Sequence, residues 1–185
     1  MFRALATMIT AGLLVATVLP VAVYAQTNHV TIRDEDVSRQ VEGTPPTDNW
    51  VIYTRANTPG AADFASGPET PPLGSGSLTL DTEAASDKVW IYTYDYTGTS
   101  TSEIDALSYS TYRSRGNAEQ VAALNIEVDI NGDAEGGYTT LVFEPVYNTD
   151  QGTVNSDEWQ TWDAINGGEA TWWSSRAIPG FPNRD

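Results

Sequence analysis

About eight short runs rich in β-branched and aromatic residues recur along the chain, separated by clusters of glycine, proline, asparagine and serine. Residues 49–55, 77–80, 88–96, 107–112, 123–130, 139–147, 159–162 and 171–173 each fit the length and composition of a strand. Only 118–124 has room for a helical turn. Between 59 and 77 the sequence carries Pro59, Gly60, Gly67, Pro68, Pro71, Pro72, Gly74 and Gly76, which predicts a long surface loop. Runs 123–130 and 139–147 flank a turn-rich segment, so an antiparallel hairpin is expected there. Many short strands without helices predict an all-β fold, an antiparallel β-sandwich of the jelly-roll type.

The ends read differently from the middle. Arg3, the apolar run 11–23 broken by Pro20, and Val23-Tyr24-Ala25 form the cationic, apolar and small-residue regions of a secretory signal. Residues 1–25 are therefore expected to be removed, which leaves no membrane span and places the product outside the cell or at its surface. Residues 26–48, acidic and with Pro45-Pro46, read as a polar leader, and 49–185 as the sandwich domain. After Trp173 no further strand follows, so a C-terminally truncated sandwich with an open edge is expected.

Composition removes whole classes of chemistry. With 9 basic against 25 acidic residues the formal net charge is -16, and such a chain repels the phosphates of a nucleic acid. No cysteine is present, so disulfides, zinc ribbons and thiol nucleophiles are excluded. The single histidine, His29, lies far from the strand-rich region and is a poor base for a serine triad. No glycine-rich phosphate loop occurs.

The acidic hairpin is the most informative feature. In a strand alternate side chains face opposite ways, so Ile126, Val128 and Ile130 are expected inside while Asn125, Glu127 and Asp129 share the outer face. The same alternation puts Glu144 on the polar face of 139–147, where Glu127, Asp129 and Glu144 could converge. Pairing of Glu127 with Arg113 or Arg115 would instead mark a structural ion pair. Residues Glu127-Val128-Asp129-Ile130 resemble the opening of the active-site strand of family 16 glycoside hydrolases, which are concanavalin A-like jelly rolls. That resemblance implies Glu127 as nucleophile and Asp129 as its assistant. A retaining mechanism needs a second carboxyl group about 5.5 Å away. Asn131-Gly132 stand where the family has its acid, so Glu144 is the remaining donor.

Two other chemistries compete for the region. Asp129, Asn131 and Asp133 have the spacing with which calcium loops present oxygens to a hard cation, so a structural calcium ion is the one cofactor expected. A plain polar hairpin turn is the simpler alternative, since Ala134 and Thr140 replace the glycine and glutamate of such loops. Aromatic rings beside carboxylates are carbohydrate-site chemistry, because rings stack on sugar faces while carboxylates accept from hydroxyls. Trp90, Tyr92, Tyr94 and Tyr96 read as a core stripe on one strand. Alternation should split Trp159 from Trp162 and Trp172 from Trp173, leaving one exposed ring in each pair.

Over 49–173 the chain resembles secreted bacterial jelly-roll modules of the lectin and glucanase type. The expected function is a non-catalytic exported module that binds carbohydrate or another cell-surface ligand. Tyr112, Asn125, Glu127, Asp129, Glu144, Trp172 and Trp173 are the expected binding residues. The alternatives are a glycoside hydrolase using Glu127, Asp129 and Glu144, and a structural or adhesive envelope module without a small-molecule site.

Overall fold

The computed structural model describes residues 30–41, 47–57, 60–132 and 137–178. The chain divides into two units, Met1–Thr31 and Ile32–Asp185, and every described strand belongs to the second. The expected signal 1–25, Pro45-Pro46, Asp133 and the ending after 178 lie outside the described residues. Among the described residues no helix is long and apolar enough to cross a membrane.

The fold is all-β, built from sheets whose pairings are antiparallel except for β1 with β2, and among the described residues the helical segments are short 3-10 turns. The strands are β1 (Val37–Val41), β2 (Trp50–Thr54), β3 (Ala61–Ser66), β4 (Gly76–Asp81), β5 (Val89–Thr93), β6 (Ser108–Tyr112), β7 (Leu124–Asp129), β8 (Tyr138–Phe143), β9 (Trp159–Asp163) and β10 (Trp172–Ser174). They form sheets of order β1-β2-β5 and β10-β8-β7 and the pairs β3-β4 and β6-β9.

The core lies between the β10-β8-β7 sheet and the β6-β9 pair, which is the two-layer arrangement of a sandwich. Phe143, Trp162 and Ala164 are at most 1% exposed, and Leu107, Tyr109, Leu124, Val154, Ala170 and Trp172 pack around them. The residues come from one face of each strand. Leu124 and Trp172 flank Phe143 in register, and Tyr109 opposes Trp162. The Phe143 ring meets Tyr109 edge-on at 6.1 Å and Trp172 at 5.6 Å. Each buried indole keeps a partner: Trp162 Nε1 donates to Thr111 Oγ1 and Trp172 Nε1 to the Ala164 carbonyl, both at 2.8 Å.

A second packed region joins the β1-β2-β5 sheet to the β3-β4 pair. Val51 and Ile52 are buried on opposite faces of β2, and Ala62 is buried on β3. Arg39 bridges the two by donating to the Ala62 carbonyl at 2.7 Å. Gly60 marks a close approach between them, since a Cβ there would lie 2.8 Å from the Asp81 carbonyl oxygen and 2.9 Å from Val89.

Four elements differ from the sequence expectation. Within the loop expected over 59–77, six residues form β3, because the breakers bracket Ala61–Ser66 without interrupting it. Ala62 and Phe64 then alternate with Asp63 and pair with Leu80 and Leu78 of β4. Within the leader, β1 adds to β2 in parallel, a polar edge strand held in part by the Tyr92 hydroxyl donating to Gln40 Oε1 at 2.6 Å. The aromatic stripe does not form a core row: Trp90 and Tyr92 are half-buried on β5, and Tyr94 and Tyr96 lie past its end at 47% and 73% exposure. Asp95 explains the stop, because its carboxylate is held by Asn49 Nδ2 at 3.0 Å and Trp50 Nε1 at 2.9 Å. Finally, the run 139–147 leaves the strand at Glu144, and Pro145–Tyr147 is a 3-10 turn, as proline at its first position favours.

Candidate functional site

Each pair of directly opposed residues in an antiparallel sheet shares a face. Asn125 opposes Val142, Glu127 opposes Thr140 and Asp129 opposes Tyr138, while Trp173 opposes Val142 from the other side. One face of the β10-β8-β7 sheet therefore carries Asn125, Glu127, Asp129, Tyr138, Thr140, Val142 and Trp173, with Val142 buried at 6% exposure. Asn125, Glu127, Asp129 and Tyr138 are exposed and Trp173 is half-buried. Glu144 extends this row past the end of β8, and its Oε2 accepts from Trp173 Nε1 at 2.8 Å.

Of the expected binding residues, five are thus gathered: Asn125, Glu127, Asp129, Glu144 and Trp173. Two lie elsewhere. Trp172 turns into the core, as alternation between adjacent residues requires. Tyr112 belongs to β6, where it opposes Trp159 on the outer face of the other layer. Tyr138 and Thr140 are site residues that sequence reasoning passed over. Their signal was the hairpin register, which places Tyr138 opposite Asp129 once the loop closes at the Ile130 N–H to Gly137 carbonyl bond of 3.1 Å.

The carboxylates act on the phenols around them. Burial first, then acceptance by and charge from Glu127, raise the Tyr138 pKa, against a lowering contribution from Thr140. The Arg176 guanidinium stands 5.3 Å from the Tyr138 ring centre, a cation–π contact. Tyr92 is pushed up to about 12, chiefly by burial, then by Tyr94, with Glu127 and Tyr53 adding negative charge. Burial and the charge of Glu144 also raise Tyr109. These phenols are hydrogen-bonding groups at neutral pH.

Tyr92 carries a pH prediction. Its folded pKa lies above the ordinary 10.0, so its contribution to stability is complete below pH 10 and is lost as pH rises towards 12. Tyrosinate absorbance followed beside circular dichroism should show a late step that coincides with unfolding. A single step centred on 10 with the sheets intact contradicts this.

Glu127 makes neither of the ion pairs that would mark it as structural. Arg115 pairs with Asp81, and Arg113 donates to the Asn117 carbonyl at 3.1 Å. The spacing also bears on hydrolysis. Glu127 is level with Thr140, so Glu144 is offset by four residues, about 14 Å at the usual strand rise. The two side chains lean apart, Glu127 towards Tyr138 and Glu144 across to Trp173 on β10. The expected convergence of Glu127 with Glu144 is not formed, and about 5.5 Å would be needed for retention.

At the hairpin tip Asp129 Oδ1 accepts from the Asn131 N–H at 3.2 Å, a local Asx turn. Gly137 closes it with φ 96°, and a Cβ there would meet Asn131 Oδ1 at 1.8 Å and Asp129 Oδ1 at 2.6 Å. Only glycine fits that approach. Asp133, the third expected cation ligand, is outside the described residues, and no group of three metal-ligating side chains occurs among those described.

Compared with known families, curated proteins and solved structures, the chain has no significant match.

Proposed function

We propose that the chain is an exported, non-catalytic β-sandwich module of the lectin and glucanase type of jelly roll, which binds carbohydrate through the exposed residues Asn125, Glu127, Asp129 and Tyr138 of the β10-β8-β7 sheet. The observation that carries this reading is the exposed Glu127. It is left out of the ion pairs that Arg113 or Arg115 could have made and sits among Asn125, Asp129, Tyr138 and Trp173. In this reading Glu127, Asp129 and Asn125 meet sugar hydroxyls, and the Tyr138 and Trp173 rings present apolar surface to a sugar face. Trp173 is fixed by its bond to Glu144, so the ring is oriented before a ligand arrives. Export rests on the signal-like residues 1–25. The wide offset between Glu127 and Glu144 favours recognition over hydrolysis.

A glycan array probed with the wild type and with Glu127→Gln tests the reading. The wild type should bind a defined set of oligosaccharides, and Glu127→Gln should weaken them about tenfold, the loss of one hydrogen bond to a charged acceptor. No new reducing ends should appear when the bound glycans are incubated with the protein. Sugar release that disappears in Glu127→Gln would establish the hydrolase instead, and absence of any glycan binding would leave the structural module.

A further inference from the structure

The β6-β9 pair has an outer face with its own chemistry. Its core side is Tyr109 and Trp162, so the residues between them, taken in register, are Ser108 with Asp163, Ser110 with Thr161, and Tyr112 with Trp159. Carboxylate, hydroxyl pair and aromatic pair thus follow one another along about 14 Å, two same-face steps on each strand. The Ser110 and Thr161 hydroxyls are 2.7 Å apart, and the Tyr112 and Trp159 rings meet edge-on at 5.6 Å. Trp159 is held by donation of its Nε1–H to the Pro68 carbonyl at 2.9 Å.

Past the last rung the two chain arms separate. The Ala164 N–H to Leu107 carbonyl bond of 2.8 Å closes the pair, and beyond it opens a cleft of about 390 Å³. Asp105 and Asp163 line it with the Ser108 and Thr161 hydroxyls and the apolar Leu107 and Ile165, and no basic residue is among its walls. The volume is within the usual range of small-ligand sites. Asp163 Oδ1 accepts from the Ile165 and Asn166 N–H groups at 2.9 and 2.8 Å, which fixes the carboxylate and holds its pKa low while Oδ2 stays available. No described hydrogen bond or ion pair engages the side chain of Asp105. At the aromatic end Glu69 and Asp157 both raise the Tyr112 pKa, after burial, so negative charge brackets the stripe at both ends.

We propose that this outer face is a second glycan subsite, selective for oligosaccharides that carry free amines, with an ammonium group seated in the cleft between Asp105 and Asp163. The proposal rests on the carbohydrate reading for its ligand class, but on a different face of the sandwich. The rings and hydroxyls suit a sugar backbone, and the Asp105 carboxylate and Asp163 Oδ2 can accept hydrogen bonds from ammonium groups as well as supply opposite charge. A divalent cation is the weaker fit, since two carboxylates alone fall short of its oxygen requirement.

Titration calorimetry with the full chain tests this, using a glucosamine tetramer, its N-acetylated form, a glucose tetramer and spermidine as probes. The free-amine tetramer should bind about tenfold more tightly than either neutral tetramer and than spermidine. Asp105→Asn and Asp163→Asn should each weaken it about tenfold, the second keeping the acceptor for both N–H groups. Glu83→Gln, at an exposed acid away from the face, should leave it unchanged, which separates the site from general attraction to an acidic protein. Equal binding of all tetramers, equal binding of spermidine, no binding, or a loss in Glu127→Gln with Asp105→Asn unaffected would each overturn the proposal. If neutral tetramers bind and respond to Glu127→Gln alone, the β10-β8-β7 reading stands while this one falls; if Asp105→Asn alone responds, the reverse holds.

Discussion

Phe143→Ala should destabilise the fold by about 3–5 kcal/mol, the range for deleting a fully enclosed aromatic ring. Phe143 is 0% exposed and is the ring on which both layers of the core meet, touching Tyr109 from β6 and Trp172 from β10. Neighbouring side chains have little freedom to fill the void, because Trp162 and Trp172 are anchored through their indole N–H groups. The same rung pairs Phe143 with Leu124 and Trp172, so loosening it also disturbs the strands that present Asn125 and Trp173. Urea unfolding measures the effect. Leu73→Ala, at a position 78% exposed, is the matched control and should change stability by less than about 0.5 kcal/mol. A Phe143→Ala effect no larger than the control would mean that the two layers do not share this core.

Asn148→Ala is the second large effect, about 2–4 kcal/mol, from lost hydrogen bonds together with the polar groups left unsatisfied. Asn148 is 1% exposed, and its side chain is used at both ends. Nδ2 donates to the Glu144 carbonyl at 3.0 Å and to the Thr171 carbonyl at 3.1 Å, and Oδ1 accepts from the Thr171 N–H at 2.7 Å. This amide clamps the turn after β8 to the residue that opens β10, and so fixes Glu144 relative to Trp173. Asn148→Asp should fail nearly as badly, since an ionised carboxylate cannot donate to either carbonyl. Thermal unfolding gives the magnitude, and hydrogen exchange should show β10 opening before β7. A neutral Asn148→Asp variant would contradict the clamp.

What could be read from the sequence was local. Period-two alternation placed Asn125, Glu127 and Asp129 on one side of β7 and Ile126 and Val128 on the other, but Ile130, expected inside, lies past the end of the strand at 56% exposure. The same rule separated Trp172 from Trp173 and Trp159 from Trp162, although the outward ring of each pair is half-buried and not exposed. The pairing of distant strands was not legible. Tyr112 follows the same alternation on β6, but which layer receives β6 is set by its partner β9, so its separation from Glu127 had no local signal. The position of Glu144 fails for a related reason, because alternation gives the face of a residue and not its distance along the neighbouring strand. β3 was hidden by composition, its six residues lying between breakers that together look like one loop. β1 was hidden by polarity, since an edge strand held by backbone pairing needs little apolar pattern.

Glycan binding without catalysis at the β10-β8-β7 face can be followed by amide correlation NMR of isotope-labelled protein titrated with an array-selected oligosaccharide. Saturable shifts are expected for the Trp173 indole N–H and the Asn125, Glu127, Asp129 and Thr140 amides, with the Tyr109 and Phe143 amides unmoved and the sugar intact at the end. Shifts absent from that face, or accompanied by cleavage of the sugar, would contradict it.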